Sequence, residues 1–232
     1  MTEIKKRLDN ILEQIRQAEI IANRPQYSVQ LLAVSKTWPA EKLRLVAAQG
    51  QYQFGENYLQ EALKKIEALS DLDLEWHFIG PIQSNKTREI AAHFDWAQSI
   101  DRLKIAQRLN KQRPTHLPAL NVCIQVNIDD EDSKSGVAMN EVLPLAAEIA
   151  VLDRLTLRGL MIIPARQTDV TAQRATFRRA HAMFESLQQR FEHIDTLSMG
   201  MTADMGLAIR EGSTMVRIGT ALFGRRDTSQ GQ

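Results

Sequence analysis

Eight short apolar runs, each followed by a longer stretch with helical spacing, constrain this chain more than any other feature. The runs are 29–35 (VQLLAVS), 51–55 (QYQFG), 75–80 (EWHFIG), 94–100 (FDWAQSI), 119–128 (ALNVCIQVNI), 155–163 (LTLRGLMII), 195–200 (DTLSMG) and 213–219 (STMVRIG). Helical patterns lie near 40–49, 56–69, 85–93, 102–112, 139–151, 169–191 and 203–211. A leading pattern covers 3–23, where Ile4, Leu8, Ile11, Leu12, Ile15 and Ala18 recur about one turn apart. Strands that alternate with helices run parallel, because each helix carries the chain back to the end where the last strand began. Eight such units in 232 residues match a single closed (β/α)8 barrel of the TIM type, an α/β fold, with an extra N-terminal helix. An open doubly wound sheet is the alternative, but it more often carries a glycine-rich turn after its first strand. Here that turn reads SKTWP, 35–39. Ser84 and Asp101 stand where two helices should be N-capped, and Gly50 and Gly212 where two should end. Residues 1–226 form one domain on this reading, and 227–232, the end of RRDTSQGQ, reads as a disordered tail.

Charge and composition exclude several classes of function. Lys and Arg number 29 against 28 Asp and Glu, a net charge of +1, so neither nucleic acid nor an anionic membrane surface is an expected partner. No run is long enough to span a membrane, and the charged start MTEIKKRLDN lacks the apolar core of a signal peptide. The one cysteine, Cys123, cannot pair internally and lies in a strand-like run, which suits a small core residue in a reducing cytoplasm. His93, His116, His181 and His193 lack metal-ligand spacing. Met183, Phe184, Leu187 and Phe191 share one helical face and are expected in the core, and DDED (129–132) reads as a solvated charge run.

In a barrel the working residues gather at the C-terminal ends of the strands. The first strand ends at Lys36, the second runs into Glu56, Asn57 and Tyr58, and the third contains His77. The fifth leads into DSKSG with Lys134, the seventh into SMGMTAD and the eighth into RIGTALFG. A lysine at the end of a core strand either snorkels to water or, partly desolvated, becomes a nucleophile. Ser198, the backbone near Gly200 and Met201, Gly219 and Thr220 could together form a phosphate cup. Arg217 shares a strand face with Gly219; pointing inward it needs an acceptor, such as a ligand nitrogen or an acidic neighbour like Asp204. A lysine, a phosphate cup and an inward arginine suit a phosphorylated aldehyde held as an imine, and pyridoxal 5′-phosphate (PLP) has those parts.

The chain resembles the pyridoxal-phosphate homeostasis proteins, which are similar to the N-terminal barrel of alanine racemase. The residues that carry the resemblance are AVSKTWP, FGENYLQEALKKI, WHFIGPIQSNK, SIDR, VNIDDEDSKSG, GLMIIP and, most specifically, LSMGMTADMGLAIREGSTMVRIGTALFG. It covers about 5–226. The resemblance implies PLP as cofactor, held as an imine by Lys36. It places the phosphate at Ser198, Gly219 and Thr220, with Gly200 and Met201 helping, Arg217 at the pyridine nitrogen, and Asn57 nearby. His77, within an apolar strand, reads either as a core histidine or as lining the mouth, and Lys134 either as a solvated loop residue or as an amine that accepts the aldehyde during transfer. The departures are KTWP after the lysine and Thr202 where serine is commoner, and Thr202 keeps the hydroxyl.

An arginine at the ring nitrogen only donates hydrogen bonds and stays charged, so it disfavours ring protonation and weakens the electron sink. A racemase needs a base on each face of its substrate. In the racemases the second is a tyrosine from a C-terminal β-domain, which this chain is expected to lack, since it ends soon after the eighth strand. Of Tyr27, Tyr52 and Tyr58, only Tyr58 belongs to a C-terminal loop, and it is expected to pack on the following helix. The resemblance therefore implies first a PLP carrier or reservoir that serves PLP homeostasis. A weak amino-acid racemase is second, and a Schiff-base lyase or aldolase acting on a sugar phosphate third. The implied partners are PLP and apo forms of PLP-dependent enzymes, and the expected state is a monomer.

Overall fold

In the computed structural model, which describes residues 2–129, 135–165 and 168–224, eight parallel strands close into one barrel in sequence order. The strands are β1 (Gln30–Val34), β2 (Gln53–Glu56), β3 (Glu75–Phe78), β4 (Trp96–Ile100), β5 (Leu120–Val126), β6 (Leu155–Ile162), β7 (Thr196–Ser198) and β8 (Met215–Ile218). Closure comes from β8 against β1, with Arg217 beside Leu32. The helices are α1 (Glu3–Ile21), α2 (Ala40–Ala47), α3 (Leu59–Ala68), α4 (Thr87–His93), α5 (Leu103–Gln112), α6 (Val142–Ala150), α7 (Val170–Gln188), α8 (Met205–Arg210) and the short α9 (Thr220–Phe223). Each expected strand is present, trimmed by at most two residues at either end, except that β2 runs one residue further, to Glu56, and α9 is an element that the periodicity does not announce.

Helix α1 buries Ile4, Leu8, Ile11, Ile15 and Ala18, and leaves Leu12 at its margin. It packs on α8 and α9, the helices that follow β7 and β8. Its buried Glu19 accepts hydrogen bonds from the Val29 amide (2.8 Å) and the Tyr27 amide (3.1 Å), which ties the turn into β1. A single large apolar cluster fills the space between strands and helices, and it includes Phe184 and Leu187 with Met183 and Phe191 against it. The barrel interior is different. Two small apolar plugs, Leu32–Ile79–Met215 and Trp96–Cys123–Met161, lie there among polar side chains. Cys123 is fully buried, and burial pushes its thiol pKa up.

Two expected caps are displaced. Lys86, not Ser84, precedes α4, because the chain turns once more before the helix; the Ser84 carbonyl accepts from the Thr87 hydroxyl (2.9 Å). Arg102, not Asp101, precedes α5, and the Asp101 carboxylate is taken by the Arg102 guanidinium (2.6 Å). Helix α8 ends as expected: Gly212 (φ +100°) donates to the Ile209 carbonyl and Ser213 to that of Ala208, the paired bonds of a Schellman motif. The expected tail 227–232 and Lys134 lie outside the described residues.

Candidate functional site

The C-terminal mouth of the barrel holds a cavity of about 670 Å³, a size suited to a cofactor. Lys36, Asn57, Met201, Arg217, Gly219 and Thr220 line it, with Thr202 and Asp204 beside them. Six expected residues from four different strand ends or loops therefore meet at one place.

Lys36 is half-buried and makes no hydrogen bond or ion pair among the described residues. Its chain neighbours, by contrast, are held tightly. The Ser35 hydroxyl donates to Glu56 Oε1 (2.5 Å), and Lys65 Nζ donates to the Ser35 carbonyl (2.8 Å), Glu56 Oε1 (2.7 Å) and Glu61 Oε1 (2.5 Å). Glu61 also accepts from the Thr37 amide, where φ is +68°. A threonine in that left-handed region costs free energy that surrounding contacts must offset. Lys65 and Glu56 are almost wholly buried. Burial raises the Glu56 carboxyl pKa above its ordinary value, although Lys65 and Ser35 pull the other way.

Arg217 is 5% exposed. Its NH1 donates to the Ser198 carbonyl (2.7 Å) and hydroxyl (2.9 Å), and its NH2 to the Ile162 carbonyl (2.8 Å). These acceptors are neutral, and Asp204 does not pair with it directly. Burial among them pulls the guanidinium pKa down to about 10, against some support from Asp204.

Asn57 reaches the mouth because Gly80, after β3, lets its loop press close: a Cβ on Gly80 would stand 2.2 Å from the Asn57 carbonyl oxygen. The Asn57 Oδ1 is buried without a hydrogen-bond partner among the described residues, a vacancy that a ligand donor can fill. The amides of Gly219 and Thr220 also meet no acceptor among the described residues.

Several expected residues are placed differently. Ser198 is fully buried; its hydroxyl donates to Gln98 Oε1 (2.8 Å) rather than facing the cavity. Near the Gly219–Thr220 turn, the hydroxyls that line the cavity belong to Thr202 and Thr220. Gly200 (φ +97°) sits against α8, where a Cβ would come within 2.6 Å of the Ala208 Cβ, and its carbonyl accepts from the Arg217 amide (3.0 Å). Met201 lines the cavity, but its amide is already bonded to Asp204 Oδ1 (2.6 Å). His77 is fully buried inside the barrel, stacked on Trp96 with ring centroids 5.0 Å apart, and does not reach the mouth. Tyr58 precedes α3 and is exposed rather than packed, and none of the three tyrosines lines the cavity. Among the described residues no cluster of His, Cys, Asp or Glu could hold a metal ion, and no helix is long and apolar enough to cross a membrane.

Glu61, Lys65 and Gln98 were not singled out from sequence, and Glu56 was placed at a strand end without a role. Their signal is there: Gln98 interrupts an apolar strand, and Lys65 falls on the buried face of α3 with Leu59 and Ala62.

Residues 7–227 match the family described as "Alanine racemase, N-terminal domain". The chain is 54% identical over 231 residues to the pyridoxal phosphate homeostasis protein of Pasteurella multocida, covering 98% of this chain and 99% of that one. Among solved structures it is similar to PipY of Synechococcus elongatus with PLP bound, at 36% identity and a TM-score of 0.81, covering 96% of this chain and all of that one. The alanine racemase of Clostridium difficile shares the fold, with a TM-score of 0.74 at 14% identity, and this chain spans 59% of its length.

Proposed function

Because the chain belongs to the pyridoxal phosphate homeostasis proteins, built on the alanine racemase N-terminal domain, we propose that it binds PLP covalently through Lys36 and keeps it available to other proteins. The observation that carries this reading is the meeting around one cavity of a buried arginine with a lysine and an asparagine oxygen that have no partner among the described residues. When bound, PLP supplies an aldehyde that condenses with a primary amine, releasing water. The parts of the cavity fit the parts of PLP. Lys36 offers the amine, Gly219, Thr220 and Thr202 face the phosphate, Arg217 takes the ring nitrogen, and Asn57 Oδ1 accepts from a donor on the ligand.

Arg217 carries donors only, so it leaves the ring nitrogen without a proton and limits chemistry at the bound amine. No tyrosine stands at the cavity to serve the face opposite Lys36. Both features favour holding over turning over. The protein acts on this reading as a cytoplasmic monomer that hands PLP to apo enzymes and so affects amino-acid metabolism.

The test mixes the PLP-loaded protein with an apo PLP-dependent enzyme and, separately, with L-alanine. Recovery of the acceptor's activity, with no D-alanine above the level of free PLP, is the expected result. Sustained D-alanine formation that Lys36→Ala abolishes would replace the carrier by a racemase.

A further inference from the structure

The interior of a (β/α)8 barrel is ordinarily filled by layers of branched apolar side chains. Here a continuous polar row runs through it from the N-terminal end to the site. Glu75 Oε1 meets His77 Nε2 (2.8 Å), His77 Nδ1 meets Gln98 Nε2 (2.9 Å), Ser198 Oγ meets Gln98 Oε1 (2.8 Å), and Arg217 NH1 meets Ser198 Oγ (2.9 Å). His77, Gln98 and Ser198 are fully buried. Polar groups so placed must be bonded to one another, or each costs its desolvation.

The two ends fix the direction of every bond in the row. Arg217 can only donate. Burial raises the Glu75 pKa, but the contacts from His77 and Gln53 outweigh it, so the carboxyl lies below its ordinary value and only accepts. Ser198 therefore accepts from Arg217 and donates to Gln98. Gln98 donates to His77 Nδ1, and neutral His77 donates from Nε2 to Glu75. The second Gln98 amide hydrogen reaches Met215 Sδ (3.2 Å). A proton on Nδ1 would set donor against donor. Gln98 would have to turn its amide, abandoning Met215 and depriving the Ser198 hydroxyl of its acceptor. Burial, the largest effect, keeps His77 neutral by lowering its pKa; Glu75 and Asp95 raise it, and Arg158 lowers it further.

We infer that Gln98 and Ser198 are positioning residues for Arg217: with neutral His77 behind them, they aim its guanidinium at the ring nitrogen of the bound ligand. The neighbouring carbonyls of Ser198 and Ile162 hold the guanidinium in the wall, and the hydroxyl fixes its rotation. The inference rests on the proposed PLP site and on Arg217 facing the ring nitrogen there.

The test compares PLP with the analogue that carries carbon in place of the ring nitrogen. Both keep the aldehyde and the phosphate, so the linkage to Lys36 and the phosphate contacts cancel. Dissociation constants for both ligands are measured on the unsubstituted protein, on Gln98→Leu and on Ser198→Ala, with circular dichroism as a check on folding. The expected result is a preference for PLP of about tenfold in the unsubstituted protein, reduced to about twofold in either variant by loss of PLP affinity alone. Equal losses for both ligands would overturn the inference and reduce the row to packing. An unsubstituted protein that binds both ligands equally would overturn it by removing the ring-nitrogen contact, while leaving PLP binding intact. Failure to bind PLP at all would strike the proposed function instead. If Gln98→Leu does not fold, Ser198→Ala, which removes one hydroxyl, carries the same comparison. A second readout needs no ligand: nitrogen NMR of the imidazole should show His77 as the Nε2–H tautomer, and the Nδ1–H tautomer would contradict the assigned direction.

Discussion

The two cations of the cavity, Lys36 and Arg217, are supported in opposite ways. On the β1–β2 side, Lys36 has no partner among the described residues, while a cluster of ionisable side chains (Lys65, Glu56 and Glu61) pins the residues on either side of it. On the β7–β8 side, Arg217 is itself held, by neutral carbonyls and a hydroxyl backed by neutral side chains. The difference suits the two tasks proposed for them. An amine that must form and release a bond has to stay unpaired, so its precision comes from the backbone. A guanidinium that must only point in one direction can be fixed through its own nitrogens.

The largest effect should come from breaking the charged side. Lys65→Met leaves Glu56 buried opposite no cation, which should lower stability by about 3–5 kcal/mol, read by chemical denaturation. Restoring charge balance with Glu56→Gln in the same chain should recover part of that loss. On the other side, Arg217→Lys keeps the charge but cannot reproduce the fork that reaches both Ser198 and Ile162, so PLP affinity should fall by about 1–3 kcal/mol, measured by equilibrium titration.

Acid should act on the row behind Arg217. His77 stays uncharged when folded but titrates near its ordinary pKa of about 6.5 once the chain unfolds. Its folded pKa is lowered, so below about 6.5 the unfolded chain takes up a proton that the folded one refuses. Stability should decline as the pH falls from 7 towards the folded pKa, and His77→Gln should flatten that decline. Glu75, whose folded pKa is also lowered, adds a loss only at lower pH, as its carboxyl protonates. The smallest effect sharpens the contrast. Lys65→Met and Gln98→Leu act on separate networks, so their stability losses should add to within about 0.5 kcal/mol in the double variant. A larger coupling would show that the two supports are one.

The barrel was legible because alternation of strand and helix leaves a period in the sequence that packing does not disturb. Lys36, Asn57, Met201, Arg217, Gly219 and Thr220 were legible for a related reason: in such a barrel, strand ends mark the mouth. Ser198 and His77 show what that rule misses. A strand's alternation tells which face a side chain takes, not how far down the barrel it lies. Depth depends on the stagger between strands: Ser198 aligns with Met215, one layer below Arg217 on β8. Ser198 therefore faces inward but stops beneath the cavity. The caps failed more locally, since an additional turn before α4 moves the helix start past Ser84.

The central claim is that Lys36 is the residue that binds PLP, and a borohydride-trapping experiment tests it most directly. The PLP-loaded protein is reduced with borohydride, digested, and its peptides weighed by mass spectrometry. The account predicts a pyridoxyl phosphate adduct on the peptide that carries Lys36, and its loss in Lys36→Ala. An adduct confined to another lysine, with Lys36 unmodified, would contradict it.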